Sequence, residues 1–208
     1  MSTRLKRTIG VSTFLVVVVA GFLLRPGTEA DEDPVWVETA QAVVLPFKQR
    51  LMAALKEGLA QGPEAAIDAC RIEAPRIADA LASPTVRVGR TSHRLRNPAN
   101  APKPWMLPIL QELRDTAPGE RPYRIVRMGD DWIGYAEPIY MQPLCLTCHG
   151  SDLSASLRDR LDAAYPQDQA TGFAVGDFRG IFWVELETRG AASHAAAPTA
   201  PKVPKAPL

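Results

Sequence analysis

Cys145-Leu146-Thr147-Cys148-His149, followed by Gly150, holds more reactive chemistry than any other stretch of this chain. Two thiols three residues apart stand about one helical turn from each other. They can reach the two vinyl groups of one porphyrin, and the histidine directly after the second thiol is placed to ligate the iron. C-x-x-C-H is the spacing of covalent c-type haem attachment. Other uses of these residues fit less well. A structural zinc site needs four ligands, usually as two paired halves, and outside the motif only Cys70, His93 and His194 remain. A thioredoxin-like C-x-x-C opens a helix after a strand of a βαβ unit. Here Pro143-Leu144 precedes the motif, and the added histidine has no role in that chemistry. A plain disulfide is the remaining alternative.

The chain that must position this motif has 208 residues, enough for one domain with a real core. Its net charge of +1 gives no reason to expect nucleic acid. Three cysteines are an odd number, so haem attachment at Cys145 and Cys148 leaves Cys70 over. Arg4, Lys6 and Arg7 precede an apolar run at residues 9–24. This is an export signal, either cleaved or kept as a membrane anchor, and both place the remainder outside the cytoplasmic membrane. Residues 1–30 are assigned to it, and a periplasmic location agrees with c-type haem. Residues 189–208 are rich in Ala and Pro, cannot bury a core, and are expected to be a disordered tail. The working domain is residues 31–188.

Within it, Asp33 and Pro34 start a helix that runs to about residue 60, with Trp36, Ala40, Val43, Phe47, Leu51 and Leu55 at helical spacing and Pro46 as a kink. Gly62-Pro63 ends it and starts a second, to about residue 81. Cys70 lies on the apolar face of that helix with Ile67, Ala74, Ile77 and Leu81. Pro75 cannot bond to the Arg71 carbonyl, so a bend is expected just beyond Cys70. Strands are predicted at 86–91, 123–128, 132–139 and 178–186. The middle two form a hairpin across Gly129-Asp130-Asp131. Short helices are predicted around 105–113 and from Leu153 to Tyr165. Gly172, Gly176 and Gly180 signal turns or a close backbone approach around the last strand.

Haem iron at His149 needs a sixth partner or keeps an open position. Cys70 is either that partner or an inert core cysteine. Met52 and Met106 fall in apolar helical patterns, Met128 in a strand, and Met141 needs a tight chain reversal to reach the iron. His93, among Arg90, Arg94 and Arg96, reads as a solvated loop residue. The irregular stretch at 84–105 carries Arg87, Arg90, Arg94, Arg96 and Lys103. Arginine pairs carboxylates bidentately, so Arg90 and Arg96 are candidate partners for haem propionates, against the alternative of a solvated basic loop. No enzyme is expected: a peroxidase needs a distal acid–base residue, and only His93 is on offer.

Four stretches resemble a known family. They are Ala66-Ile67-Asp68-Ala69-Cys70 with Ala74-Pro75-Arg76-Ile77-Ala78; Val88-Gly89-Arg90-Thr91-Ser92 with Arg96-Asn97-Pro98-Ala99-Asn100 and Trp105; Pro138 through Cys145-Leu146-Thr147-Cys148-His149-Gly150; and Tyr165-Pro166 with Gly172, Gly176-Asp177 and Gly180. Over about residues 34–186 the chain resembles a bacterial, single-haem, c-type family with a PAS-like domain, whose members occur alone or joined to kinases and other signalling modules. The resemblance implies an α+β fold: a PAS-like antiparallel sheet, two long N-terminal helices, and one covalent haem c. It also implies His149 and Cys70 as the two axial ligands, which accounts for the odd cysteine. The expected role is a redox or diatomic-gas sensor, with an electron-transfer cytochrome serving a redox partner protein as the alternative. No output domain like that of the sensor-kinase members is expected.

Overall fold

The computed structural model describes residues 34–115 and 123–191. The export segment at 1–30 and nearly all of the tail at 189–208 lie outside them. Helix α1 (Pro34–Gln61) starts at the expected proline and passes through Pro46. Ala40, Val44, Phe47 and Leu51 recur every three or four residues along it and are buried. Gly62, at φ +122°, breaks the helix, and Pro63 opens α2 (Pro63–Asp68).

The second long helix is not a bent α-helix. Between α2 and α3 (Ala74–Leu81) lies a π turn, Ala69–Glu73, in which the Ala74 N–H bonds to the Ala69 carbonyl five residues back. An α register would set the Pro75 ring against the Arg71 carbonyl. Widening the turn by one residue relieves that clash, and Cys70 is the second residue of the widened turn.

The sheet follows. Strand β1 is Val86–Thr91; helix α4 (Met106–Asp115) leads towards the hairpin of β2 (Arg124–Met128) and β3 (Trp132–Tyr140). Helix α5 (Leu146–His149) carries the motif, followed by α6 (Ala155–Ala164), strand β4 (Phe178–Glu187) and a last helical turn, α7 (Thr188–Ala191). That turn takes in the first residues of the Ala/Pro-rich stretch. All pairings are antiparallel, in the order β1-β4-β3-β2, so the fold is α+β.

Alternate residues of each strand face opposite layers. Val88, Ile133, Tyr135, Val184 and Leu186 pack under α1 and α3 with Ala40, Val44 and Phe47. Ala136 and Ile181 pack under α4 with Met106, Ile109, Leu110 and Leu113. On that second face Glu185 is buried and accepts hydrogen bonds from Lys103 and Trp105. The alternation breaks at one place. Ile139 pairs with Gly180 and Tyr140 with Phe178, so Arg179 is an extra, bulged residue of β4. Gly180 has φ +152°, and a Cβ there would overlap the Thr91 carbonyl oxygen. Among the described residues no helix is long and apolar enough to cross a membrane; the apolar run at 9–24 lies outside them.

Candidate cofactor site

Cys145, Cys148 and His149 line one cleft with Cys70, more than seventy residues away in sequence. The cleft encloses about 1010 Å³, counted to its open mouth. Leu51, Met52, Leu55 and Leu59 of α1 form one wall, Ala66 and Ile67 of α2 continue it, and Ile139 and Phe182 come from the sheet. The three cysteines are free thiols, each partly buried. Among the described residues no group of three or more His, Cys, Asp or Glu side chains could hold a bare metal ion. The site therefore offers thiols and an imidazole to a broad apolar body.

The imidazole is oriented by its second nitrogen. His149 Nδ1 lies 2.6 Å from the Ala170 carbonyl, which can only accept, so Nδ1 carries the proton and Nε2 keeps its lone pair. Burial, with Arg96 and Arg179 nearby, holds the ring well below its ordinary pKa of 6.5 and hence neutral. Ala170 is itself held: its N–H donates to Asp168 Oδ1 at 2.7 Å, and its carbonyl also accepts from Arg96 Nη2 at 3.1 Å. Arg96 further donates to the Cys148 carbonyl at 2.6 Å and to Asp168 Oδ2 at 3.0 Å. Arg96 thus ties the motif helix to the loop that orients the histidine. Burial raises the Cys148 thiol pKa above its ordinary value, opposed by Arg96.

A second, polar pocket of about 540 Å³ opens beside the apolar cleft and shares Cys70, Arg90, Arg96, Ile139, His149 and Tyr165 with it. Arg179, Ser92, Asn97 and Asn100 are among the other residues that line it. Burial, reinforced by Cys70, pushes the Tyr165 hydroxyl up to about 12. An amphipathic, planar, dicarboxylate cofactor suits this pair of spaces: apolar body in the cleft, acids among the guanidiniums, thiols and imidazole at its edge and face. The residues present fit a haem.

A family model described as Tll0287-like matches residues 30–186. The chain belongs to that family. A solved structure titled as that of the cyanobacterial heme-protein Tll0287 aligns with a TM-score of 0.56 and 20% identity, over 75% of this chain and 97% of that one. At that identity the likeness is one of fold. No curated protein matches the sequence.

Set on this Tll0287-like fold, the candidate residues separate. Cys70, Cys145, Cys148, His149, Arg90 and Arg96 all reach the same place. Arg96, foreseen as a propionate partner, has Nε and Nη2 committed to the protein. Met52 and Met141 line the cleft, whereas Met106 is buried under α4 and Met128 lies on β2. His93 is not a solvated residue. Its ring stacks on Phe178 at 5.6 Å and meets Phe173 edge-on at 6.4 Å. The sequence reading missed Arg179 because strand alternation places it with Ile181 and Glu185 on the α4 face; the bulge turns it into the pocket. The signal was the glycine beside it, Gly180, noted for close approach but not for what it redirects.

Proposed function

We propose that this Tll0287-like chain is an exported c-type haem protein: one haem attached through Cys145 and Cys148, ligated by His149 and Cys70, and used as a redox or small-molecule sensor in the periplasm. One observation carries the reading. Four residues of the right chemistry, on two segments far apart in sequence, line a single apolar cleft with a pocket of cations beside it. The printed description of the solved relative, a cyanobacterial heme-protein, supports it. We read the domain as PAS-like from its single antiparallel sheet, take residues 9–24 as the export or anchoring segment, and assign no enzymatic activity.

Bound haem would supply a one-electron couple and a site for a diatomic gas. The protein's own contribution is positional. His149 presents Nε2 because its Nδ1–H donates to the Ala170 carbonyl. Cys70, which lines the same cleft as the motif, would offer its Sγ as the second ligand to the iron. The π turn that carries Cys70 is the element able to move with it.

The test is the haem stain of the denatured protein, then electron paramagnetic resonance of the ferric form beside Cys70→Ala. Stain retained in the wild type, with a low-spin thiolate signature lost in the variant, is the expected result. An unchanged low-spin spectrum removes Cys70 as ligand. One observation favours an electron-transfer cytochrome as second reading: His149 meets Phe173 edge-on at 6.3 Å, and the ring contacts continue through His93 to Phe178 and Tyr140. Carbon monoxide binding by the reduced protein favours the sensor; its absence, with fast self-exchange, favours the carrier.

A further inference from the structure

The cations of the polar pocket outnumber their counter-charges. Arg90, Arg96 and Arg179 all line it. Asp168 pairs with Arg96, both side chains being under a tenth exposed. Among the described residues neither Arg90 nor Arg179 has a carboxylate within ion-pair distance. Arg179 Nη1 donates to the Arg94 carbonyl at 3.0 Å, and Arg90 Nη2 reaches the Cys70 carbonyl at 3.5 Å. Burial, with Arg90 and Arg96 adding to it, pushes Arg179 down to about 10. Guanidiniums gathered in a partly enclosed space without anions are costly unless an anion enters. Two lack a carboxylate partner among the described residues, and haem has two propionates.

Arg90 has a second connection. The carbonyl it reaches is one that the helix cannot satisfy in the usual way. Five residues beyond Cys70 stands Pro75, which has no N–H to donate in the π register, and the Ala74 N–H goes to Ala69. The proline that widens the turn thus also frees the Cys70 carbonyl for a side-chain donor. Arg90 comes from β1 and can hold that carbonyl and a ligand carboxylate together, since a guanidinium has five N–H groups in a fixed fork.

We infer that Arg90 and Arg179 form a clamp for the two carboxylates of the cofactor, and that Arg90 couples this clamp to the π turn bearing Cys70. The inference rests on the haem reading above and deepens it. Arg179 is a binding residue, delivered by the β4 bulge. Arg90 is a binding residue towards the carboxylate and a positioning residue towards Cys70.

The experiment uses the full-length holoprotein, with midpoint potential and ferric paramagnetic resonance measured for Arg179→Gln, Arg90→Gln and, as a charge control, Arg76→Gln. Arg76 lies on α3 with its side chain 70% exposed and faces Glu73. Loss of a nearby cation favours the more positive oxidised state, so the first two variants should shift the midpoint downward by more than the control. Arg179→Lys should recover most of that shift. Only Arg90→Gln should also weaken the thiolate low-spin signal. Midpoints no lower than that of Arg76→Gln overturn the clamp; an intact thiolate signal in Arg90→Gln overturns the coupling. If Arg179→Gln does not accumulate, Arg179→Lys decides by resonance Raman: shifted propionate bending bands support the clamp, unshifted bands overturn it. A wild type with no covalent haem overturns the functional reading itself, an outcome separate from all of these.

Discussion

Replacing Asp168 by alanine strands the Arg96 guanidinium in the interior. The pair spans 3.0 Å from Nε to Oδ2, with side chains 9% and 7% exposed. Removing one partner of a buried ion pair costs about 3–5 kcal/mol, because the remaining charge keeps its desolvation penalty. Asp168 Oδ1 also accepts the Ala170 N–H at 2.7 Å, and losing that bond adds about 1 kcal/mol. The total, about 4–6 kcal/mol, is a large share of the roughly 5–15 kcal/mol that holds a domain folded. With a urea dependence of about 2 kcal/mol per molar, the unfolding midpoint should fall by about 2–3 M. Asp168→Asn keeps the acceptor for Ala170 and should cost about half as much. Adding Arg96→Leu to Asp168→Ala removes the stranded cation and should recover about 1–3 kcal/mol. A midpoint drop below about 0.5 M for Asp168→Ala, or strict additivity in the double variant, refutes the reasoning. Because Ala170 orients His149, the single variant should also broaden the ferric resonance spectrum.

Three further outcomes are expected. Burial pushes the Glu185 carboxyl up, but hydrogen bonds from Lys103, Trp105 and Arg87 outweigh it and leave the group below its ordinary 4.5. A depressed carboxylate contributes stability above about pH 4.5 that is lost as pH falls through the folded value; the stability gap between wild type and Glu185→Gln should therefore shrink in acid, read from urea midpoints between about pH 6 and pH 3. Burial first, then Arg114, Arg179 and Arg94, hold His93 below its ordinary 6.5. The unfolded chain then binds the proton more readily, so stability should decline as pH drops below about 6.5; His93→Phe, which keeps a ring against Phe178, should flatten that slope, and a slope that persists assigns it elsewhere. Gly180→Ala puts a Cβ at φ +152° into the Thr91 carbonyl and should cost about 2–4 kcal/mol; an unchanged thermal midpoint would show that β1 and β4 separate there without penalty.

Much of this architecture could be read from local pattern. Val86–Thr91, Trp132–Tyr140 and Phe178–Glu187 emerged within a residue or two of their predicted bounds, because β-branched runs between turn residues have few other uses. The Gly62-Pro63 break and the hairpin at Gly129, with φ +61°, came from residues whose backbone preferences are their own. His93 was misjudged because its sequence neighbours show only the charges around it: Phe173 and Phe178, some eighty residues on, supply the rings it packs against. Pro75 was read correctly as a disturbance, but whether a helix answers with a kink or a π turn depends on what its far side must still contact. Here α3 continues under β1 with Ile77, Ala78 and Leu81 against the core.

Taken by itself, the sequence determined the chemistry on offer: two thiols and an imidazole at haem-attachment spacing, a third thiol at helical spacing from the core, and a basic loop. Those follow from local periodicity and residue type. Only the tertiary structure decided that Cys70 lines the same cleft as the imidazole, that Arg96 braces the motif, and that Arg179 joins Arg90 in the pocket. A strand bulge, a widened helical turn and the crossing of α1 over the sheet set those relations. Each depends on contacts between residues far apart in the chain, where the energy of packing outweighs the preference of any one segment.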